Sequence, residues 1–335
     1  MKAKILAYAL SAMLFALCTS VHAQKPTKVP RIGFLAVAPL STLSARTEAF
    51  RQGLRELGYV EGKNIVIEWR SAEGKVDRLP TLAAELVSLK VDIIVTGSGT
   101  VTSPVKEATS TIPIVMALDN DLVGNGYAAS LARPGGNISG LSSFSVDTTG
   151  KQLEPSEGHF TKALPPGRLR DFNQPRQAQA LREIELAAGV FKVQFQYLDV
   201  LDPKDIETAF QTAAKGRANA VVVLGSPVNF NNRTLVAELA VKSRLPVIHS
   251  NTEYVDAGGL MTYGPNYPDL YRRAATYVDK ILKGRKPAEL PIEQPTKFEF
   301  IINLKAAKQI GLTIPPNVLA RADKVIKESA GINRH

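Results

Sequence analysis

The sequence predicts an α/β protein with two doubly wound parallel-sheet lobes joined by a hinge. Runs rich in β-branched residues alternate with helix-like stretches from residue 31 onward, and this series occurs twice along the chain. Alternating strands and helices form parallel sheets with helices on both faces. A length of 335 residues suits two domains of ordinary size, and 44% apolar with 21% charged residues is a globular composition.

The first series of elements lies between residues 31 and 118. Its apolar runs are short enough for strands, and the stretches between them place apolar residues at helical spacing. We expect strands at residues 32–37, 64–69, 91–96 and 112–118, and helices at residues 44–57, 77–89 and 103–110. These elements predict a first α/β lobe over residues 24–142.

The second series begins after Gly140 and has the same alternation. We expect helices at residues 177–188, 203–215 and 231–243, and strands at residues 193–198, 220–224 and 247–250. These elements predict a second α/β lobe over residues 143–296.

Two segments are expected to cross between the lobes. Residues 138–144 follow a turn-forming stretch at 133–137, and a strand-like run at 298–302 follows a proline-punctuated stretch. We predict that this late strand returns to the first lobe, so that residues 297–335 tie the end of the chain across the hinge. Helices are expected at residues 305–310 and 318–328.

Residues 1–23 have the organisation of a secretory signal peptide. Lys2 and Lys4 form a basic start, residues 5–17 are an apolar run that is short for a membrane span, and Ala23 precedes the expected cleavage. An N-terminal membrane anchor is the alternative. Cys18 is the one cysteine of the sequence, so we expect an exported chain without disulfides, thiol catalysis or a cysteine zinc site.

The formal net charge of +10 comes from 41 Lys and Arg against 31 Asp and Glu. These cations are spread along the chain without a basic block. Export also disfavours contact with nucleic acid, so we expect no nucleic-acid partner and no stable membrane insertion.

Four motifs resemble those of a known family. They are Gly-Phe-Leu at 33–35, Gln-Gly-Leu-Arg-Glu-Leu-Gly-Tyr at 52–59, Ser-Leu-Ala-Arg-Pro-Gly-Gly-Asn-Ile-Ser-Gly at 130–140, and Ile-Asn-Leu-Lys at 302–305 with Gly-Leu at 311–312. As a set they resemble periplasmic substrate-binding proteins of ABC importers, in the subgroup described as tryptophan/tyrosine-type uptake components. The resemblance covers nearly the whole chain after the signal segment.

The resemblance implies a type I periplasmic-binding fold, in which two lobes close over a ligand. It implies a periplasmic receptor that captures a small amino acid-like or aromatic carboxylate ligand and delivers it to an ABC permease with its ATPase. No catalytic residue, metal or cofactor is implied. A ligand-sensing component of a signalling system shares the fold and is the first alternative; an exported enzyme has less support.

The enzyme alternative has few motifs behind it. Residues 124–129 fit a dinucleotide fingerprint with Asp147 at roughly the expected distance, but they follow the fourth predicted strand instead of the first. The sequence has neither a G-x-S-x-G nor an H-E-x-x-H motif. His249 could be a positioned base, although a lone histidine at a strand end is more often a polar lining residue.

The loop after the third predicted strand has the composition of an anion site. In open α/β sheets, ligands bind beyond the carboxyl ends of the strands, which face the cleft of a two-lobed protein. At residues 96–100, small residues allow the backbone N–H groups to approach an anion, and hydroxyl groups add donors. We therefore assign Ser98, Gly99 and Thr100 to a ligand carboxylate. A plain turn with Thr100 as helix cap is the alternative.

Two aspartates, Asp119 and Asp121, follow the fourth predicted strand. Similar family members show Asp-Pro-Val near this place, whereas this chain has Asp121 followed by leucine and valine. We assign Asp121 to a ligand ammonium, with a capping or turn role as an equally consistent alternative.

Further ligand contacts are expected from the strand ends of the second lobe and from aromatic rings. The second-lobe candidates are Ser226, Asn229, Asn251 and Tyr254. Tyr254, Phe34 and Phe144 could stack on a planar ligand. For the two phenylalanines, a buried structural role is the alternative.

Residues 155–172, PSEGHFTKALPPGRLRDF, show neither a helical nor a strand period. The family resemblance implies a helix and a buried apolar strand at this place. Suitable codons for residues 156–176, read one base later, can spell LKGISPKLSRLAVFAISTNPG, which restores an amphipathic start and an apolar strand. We therefore hypothesise a local frame change, with a genuine surface insertion as the alternative. A frame change predicts that the chain as written lacks the first strand of its second lobe.

Overall fold

A computed structural model of the protein describes residues 28–119, 122–143, 163–164, 186, 189, 196, 198–223 and 226–327. These residues form two β-sheets with their helices, one sheet in each half of the chain. No helix in these ranges is long and apolar enough to cross a membrane.

The first lobe is built on a parallel sheet with the strand order β2-β1-β3-β4-β5. Its strands are β1 Arg31–Ala36, β2 Val66–Ser71, β3 Ile93–Thr96, β4 Ile114–Asp119 and β5 Ile138–Ser142. Its helices are α1 Ser44–Glu56, α2 Leu79–Ser88 and α3 Gly99–Ala108, with 3-10 turns at Leu40–Leu43 and Val76–Arg78. The central strands are buried along nearly their whole length, as expected for a sheet covered on both faces. The strands and helices predicted for this lobe are confirmed.

The second sheet has the strand order β11-β10-β9-β8-β7-β6, and only the β9–β10 pair is antiparallel. Its strands are β6 Ala163–Leu164, β7 Ala220–Val223, β8 Val247–His249, β9 Met261–Pro265, β10 Phe298–Asn303 and β11 Lys324–Ile326. The helices in this half of the chain are α4 Pro203–Lys215, α5 Pro227–Asn231, α6 Arg233–Ser243, α7 Glu253–Asp256, α8 Tyr267–Leu282, α9 Leu304–Gln309 and α10 Pro316–Leu319, with a 3-10 turn at Pro287–Glu289. The helix predicted at 177–188 and the strand predicted at 193–198 fall almost wholly outside the described residues.

The helix α8 leaves the second lobe and packs on the first. Its Ala274, Ala275 and Val278 share a hydrophobic cluster with Ile32 and Phe50. Contact with α1 is close enough that a side chain at Gly53 would place its Cβ 2.3 Å from the carbonyl oxygen of Arg272. Glycine at that position therefore permits the two helices to meet.

The prediction that residues 298–302 return to the first lobe is wrong. These residues form β10, which pairs with β9 and β11 in the second sheet. The crossing is made by α8 instead, because this amphipathic helix buries its apolar face against α1 while the strands on either side stay paired with each other.

The helix predicted at 318–328 is also wrong beyond its first two residues. A short helix ends at Leu319, and β11 then runs parallel to β10. Asp323 guides the chain into the sheet, because its backbone N–H donates to the carbonyl of Phe300 and its carboxylate accepts from the N–H of the same residue. The β-branched Val325 and Ile326 favour a strand there.

The expectation that the second lobe lacks its first strand needs correction. Ala163–Leu164 pairs in parallel with Ala220 and Val221 at the edge of the second sheet. This strand spans two residues beside the four residues of β7. The rest of the segment 155–172 lies outside the described residues.

Candidate functional site

The carboxyl ends of β1 and β8 lead into helices α1 and α7, and these two helices meet between the lobes. Arg46 on α1 donates from Nε to Oε1 of Glu253, the first residue of α7, at 2.5 Å. The two side chains are only 6% and 13% exposed. A contact between residues 207 positions apart thus joins the first lobe to the second.

The Arg46 guanidinium is enclosed by aromatic rings. Its central carbon lies 4.6 Å from the ring centroid of Phe230 on α5 and 4.6 Å from that of Tyr267 on α8. Tyr271, one helical turn further along α8, lies 5.9 Å away. Cations are attracted to the faces of aromatic rings at such distances, most strongly where water is excluded.

Burial and charge act in opposite directions on this ion pair. Burial is the largest single effect on Arg46 and disfavours its charge, but the charge and hydrogen bond of Glu253, together with the nearby Tyr271 and Tyr267, outweigh it and raise the pKa of Arg46. For Glu253, burial favours the neutral acid, while the charge and hydrogen bond of Arg46 lower its pKa overall. Both groups are therefore charged at neutral pH.

His249 at the end of β8 is a buried neutral imidazole. Burial lowers its pKa to about 4, with Glu253 opposing the shift and the positive charges of Arg46 and Arg233 adding to it. Its Nδ1 accepts a hydrogen bond from the backbone N–H of Asn251 at 2.9 Å, which leaves the proton on Nε2. A neutral imidazole in this position orders the loop that leads to Glu253.

The loop between β3 and α3 is fixed at both ends. The hydroxyl groups of Thr96 and Thr102 lie 2.7 Å apart in a buried hydrogen bond, and Tyr127 donates to the carbonyl of Gly99 at 3.1 Å. Tyr271 donates to the carbonyl of Gly97 at 3.3 Å. The loop is thus held in one conformation without using the side chains of residues 98 or 100.

Ser98 is the N-terminal cap residue of α3, with an extended backbone and no side-chain hydrogen bond to the helix. Its carbonyl accepts from the N–H groups of Val101 and Thr102, while Ser98 and Thr100 are half-buried. The first turn of the helix therefore presents the N–H groups of Gly99 and Thr100 without a side-chain cap. Such a helix N-terminus carries a partial positive charge suited to a carboxylate.

Phe34, which was expected to stack on a ligand, is fully buried in the core of the first lobe. Its ring lies 4.7 Å from that of Trp69, 5.8 Å from that of Phe50 and 6.3 Å from that of Tyr271. A ligand could reach this ring only if these neighbours moved.

The second-lobe candidates surround the start of α5 and α7. Ser226 caps α5, because its hydroxyl accepts from the backbone N–H of Asn229 at 3.1 Å. Asn229 and Asn251 are each 7% exposed. The backbone N–H of Asn251 donates to Nδ1 of His249, and the Oδ1 of Asn251 is 3.4 Å from the hydroxyl of Ser250.

Tyr254 is packed inside the second lobe. Its ring stacks on His249 at 5.2 Å between centroids, and it belongs to the cluster of Val247 and Val223. A Cβ at Gly259 would lie 2.1 Å from its ring, so the backbone covers part of the ring. Tyr254 is thus in the position of a core residue that supports His249.

Two candidates, Asp121 and Phe144, lie outside the described residues. Asp119, the other aspartate of that stretch, is fully buried at the end of β4 and accepts from the side-chain amide of Asn125 at 3.1 Å. Among the described residues no group of three or more His, Cys, Asp and Glu could hold a metal ion.

Sequence reasoning missed Arg46, Glu253 and Tyr271. A signal for Arg46 was present, because it falls on the helical face of α1 that also carries Phe50 and Leu54, and a charge in an apolar stripe needs a partner. Its partner could not be read from the sequence, since it lies 207 positions away.

Two doubly wound α/β lobes, with polar groups at strand ends between them, define a two-lobed binding protein of the type I periplasmic-binding fold. The chain belongs to the family of ABC transporter substrate binding proteins, whose family model matches residues 35–326.

Several proteins are similar to this chain over most of its length. A curated tyrosine-binding protein of Clostridioides difficile (strain R20291) is 24% identical over 286 residues, covering 85% of this chain and 82% of that protein. A conserved domain protein of Vibrio cholerae superposes with a TM-score of 0.81 at 25% identity, over 89% of this chain and 100% of that one. An ABC domain from Streptococcus pneumonia, solved with L-Trp, gives a TM-score of 0.79 at 24% identity, over 89% and 99% of the two chains.

Proposed function

We propose that this protein is a periplasmic receptor that binds a small carboxylate ligand between its lobes and delivers it to an ABC permease. The observation that carries the proposal is the loop at the start of α3, which is held by hydrogen bonds of its neighbours, while the N–H groups of Gly99 and Thr100 and the hydroxyls of Ser98 and Thr100 make no hydrogen bond within the described part of the chain. A carboxylate bound there would gain charge-assisted hydrogen bonds without reorganisation of the loop.

The ligand class follows from two lines of support. The helix N-terminus favours an anion, and the relatives named above are described with tyrosine and with L-Trp. We therefore propose an amino acid-like or aromatic carboxylate, contacted by Ser98, Gly99 and Thr100 in the first lobe. Asp121, Phe144 and the polar groups Ser226, Asn229 and Asn251 complete the proposed site; Phe34 and Tyr254 would take part only through rearrangement of their packing.

The proposed receptor carries no catalytic activity and no cofactor. Its family and neighbours are binding proteins, and His249, the one candidate base, is committed to its own loop. We also propose that the chain is exported with cleavage near Ala23, and that its transport partner is a permease with an ATPase.

A thermal-shift screen of amino acids and aromatic acids tests the proposal. A ligand at 100 times its Kd stabilises the folded protein by about 2.7 kcal/mol. We expect a hit among carboxylates, and the matched primary amide or methyl ester of that hit should give a much smaller shift because it removes the negative charge. Equal shifts for the acid and its amide would contradict a carboxylate site at α3.

Small-angle scattering tests the closure that transport requires. Two lobes joined by crossing segments can hinge around a ligand, so the ligand found in the screen should lower the radius of gyration. A tight ligand that leaves the radius of gyration unchanged would argue against delivery by closure.

A further inference from the structure

The contact between Arg46 and Glu253 is the one place where charged side chains of the two lobes, as far as the structure describes them, form a buried ion pair. Arg46 extends from α1, whose apolar face packs in the first lobe, and Glu253 begins α7 directly after a strand of the second sheet. We propose that these two residues form an interlobe clasp, which favours the closed arrangement of the lobes even before a ligand binds and is released when the lobes open.

Apolar packing around the pair supports this role. Phe230 belongs to α5 of the second lobe, yet it is 7% exposed and shares a hydrophobic cluster with Phe50 and Tyr271 of the first-lobe core. Its ring covers one face of the Arg46 guanidinium. The neighbouring Asn231 also approaches the first lobe, with its side-chain nitrogen 3.9 Å from where a Cβ of Gly74 would lie. One residue of α5, Phe230, and one residue of α7, Glu253, therefore both contact Arg46 of α1.

Two atoms of the clasp lack hydrogen-bond partners within the described part of the chain, which weakens the closed arrangement. Nη2 of Arg46 and Oε2 of Glu253 are buried and have no hydrogen-bond partner among the described residues. A buried polar group without a partner opposes the closed arrangement, whereas opening returns both charges to water. The attraction of the pair and the cost of these two atoms act against each other, so the pair favours the closed arrangement less strongly than a fully hydrogen-bonded pair would.

The test uses the ligand-free chain, so its result is independent of which ligand the receptor binds. Glu253→Gln removes the charge but keeps the shape, and Arg46→Lys keeps the charge but loses the Nε donor. Glu56→Gln is the matched control, because it breaks an exposed Arg–Glu pair with Arg272 that lies wholly on the first lobe. Scattering gives the radius of gyration of each variant.

A second measurement follows the two lobes directly. Spin labels at Ala84→Cys on α2 and Gln211→Cys on α4, two exposed positions, report the interlobe distance in the mature chain, because the one native cysteine, Cys18, lies in the signal segment proposed to be cleaved.

We expect Glu253→Gln to increase the radius of gyration and to shift the spin–spin distance distribution, Arg46→Lys to do so partly, and Glu56→Gln to leave both unchanged. If Glu253→Gln does not fold, the radius of gyration and the spin–spin distances of Arg46→Lys test the proposal instead. Folded clasp variants that keep the distances of the parent chain would overturn the proposal, as would an equal change in the control.

Discussion

The hydroxyl of Tyr271 donates to the carbonyl of Gly97 at 3.3 Å. The centroid of the same ring lies 5.9 Å from the central carbon of the Arg46 guanidinium. One side chain of α8 thus contacts both the proposed carboxylate loop and the interlobe ion pair. The glycine makes this contact possible, because a Cβ at position 97 would lie 2.5 Å from the tyrosine oxygen. The position of α8 therefore sets the position of the loop that is proposed to bind the ligand.

We predict that Gly97→Ala destabilises the protein and that Tyr271→Phe rescues it. The added methyl group overlaps a buried oxygen, and such overpacking typically costs about 1–3 kcal/mol. Removal of that oxygen leaves the next ring atom at 3.5 Å from the Cβ, which is ordinary contact. Urea unfolding of the two single variants and the double variant measures the coupling. Strictly additive effects would show that the two groups do not meet as described.

We predict that Ser98→Ala with Thr100→Ala weakens ligand binding without unfolding the protein. Neither hydroxyl supports the helix in the structure, whereas each would donate to a charged carboxylate. A hydrogen bond to a charged group typically contributes about 1.5–3 kcal/mol, which corresponds to roughly a 10-fold to 150-fold loss of affinity for one bond. Isothermal titration with the ligand from the screen measures it.

Ser103→Ala is the control for this pair. Ser103 is a hydroxyl residue on the same helix, but its side chain donates to Glu107 at 3.2 Å on the exposed surface. It should leave the affinity unchanged. An unchanged affinity in the Ser98 and Thr100 double variant as well would remove the loop from the site.

The stability of the protein should fall as the pH drops from 6.5 towards 4. Burial lowers the pKa of His249 to about 4, so the unfolded chain binds a proton below pH 6.5 that the folded protein does not take up until about pH 4. Proton uptake by the unfolded state lowers the free energy of unfolding, by roughly 3 kcal/mol across this window.

His249→Gln should flatten this dependence between pH 6.5 and 4.5. Glu253 contributes at lower pH, because its depressed pKa means that its stabilisation is lost as the pH falls through the folded value. Denaturant unfolding at a series of pH values measures the free energy of unfolding of the parent chain and of His249→Gln. A parent chain whose stability is flat over this range would contradict the assignment of a neutral His249 in the folded state.

Local sequence patterns were enough to predict many of the strands and helices. The strand β3 and the helix α4 lie within a few residues of their predicted limits, because apolar period and capping are encoded locally; Asp202, for example, caps α4 in a capping box. Which sheet a strand joins was harder to predict. The run at 298–302 is strand-like whichever sheet it joins, and only the antiparallel pairing with β9 decides.

The candidate site was also predictable only where it depends on local sequence. The loop at Ser98 could be selected as a candidate from its composition and its place after a strand, since those features are local. The interlobe pair of Arg46 and Glu253 depends on how two lobes are set against each other, which no local pattern encodes. Phe34 shows the same dependence on tertiary packing, because an aromatic residue at a strand is consistent with ligand stacking or with a buried structural role, and its enclosure by Trp69 and Phe50 fits the second alternative.

We predict that restoring the neighbouring reading frame over residues 156–176 raises the melting temperature. In the chain as written, two residues of β6 pair with β7, and an apolar cavity of about 40 Å³ lies beside that strand. Its lining includes Val221, Val223 and Phe210 of the second-lobe core. The restored strand L-A-V-F-A would extend the pairing along β7 and bring apolar side chains to this cavity, and each buried methylene adds about 0.8 kcal/mol.

Sequencing of the DNA across codons 154–178 decides the origin of the segment, and the neighbouring frame must encode an apolar strand of this kind for the hypothesis to stand. The matched control is the restored chain with serine in place of the valine and phenylalanine of L-A-V-F-A, which keeps the length and the frame but removes the apolar side chains. We expect the restored chain to melt above the chain as written, and the serine control to lose most of that gain, because burial of apolar surface and not loop length is the cause. Equal melting temperatures for the restored chain and the chain as written would instead favour a genuine surface insertion, whose sequence the fold accepts without loss.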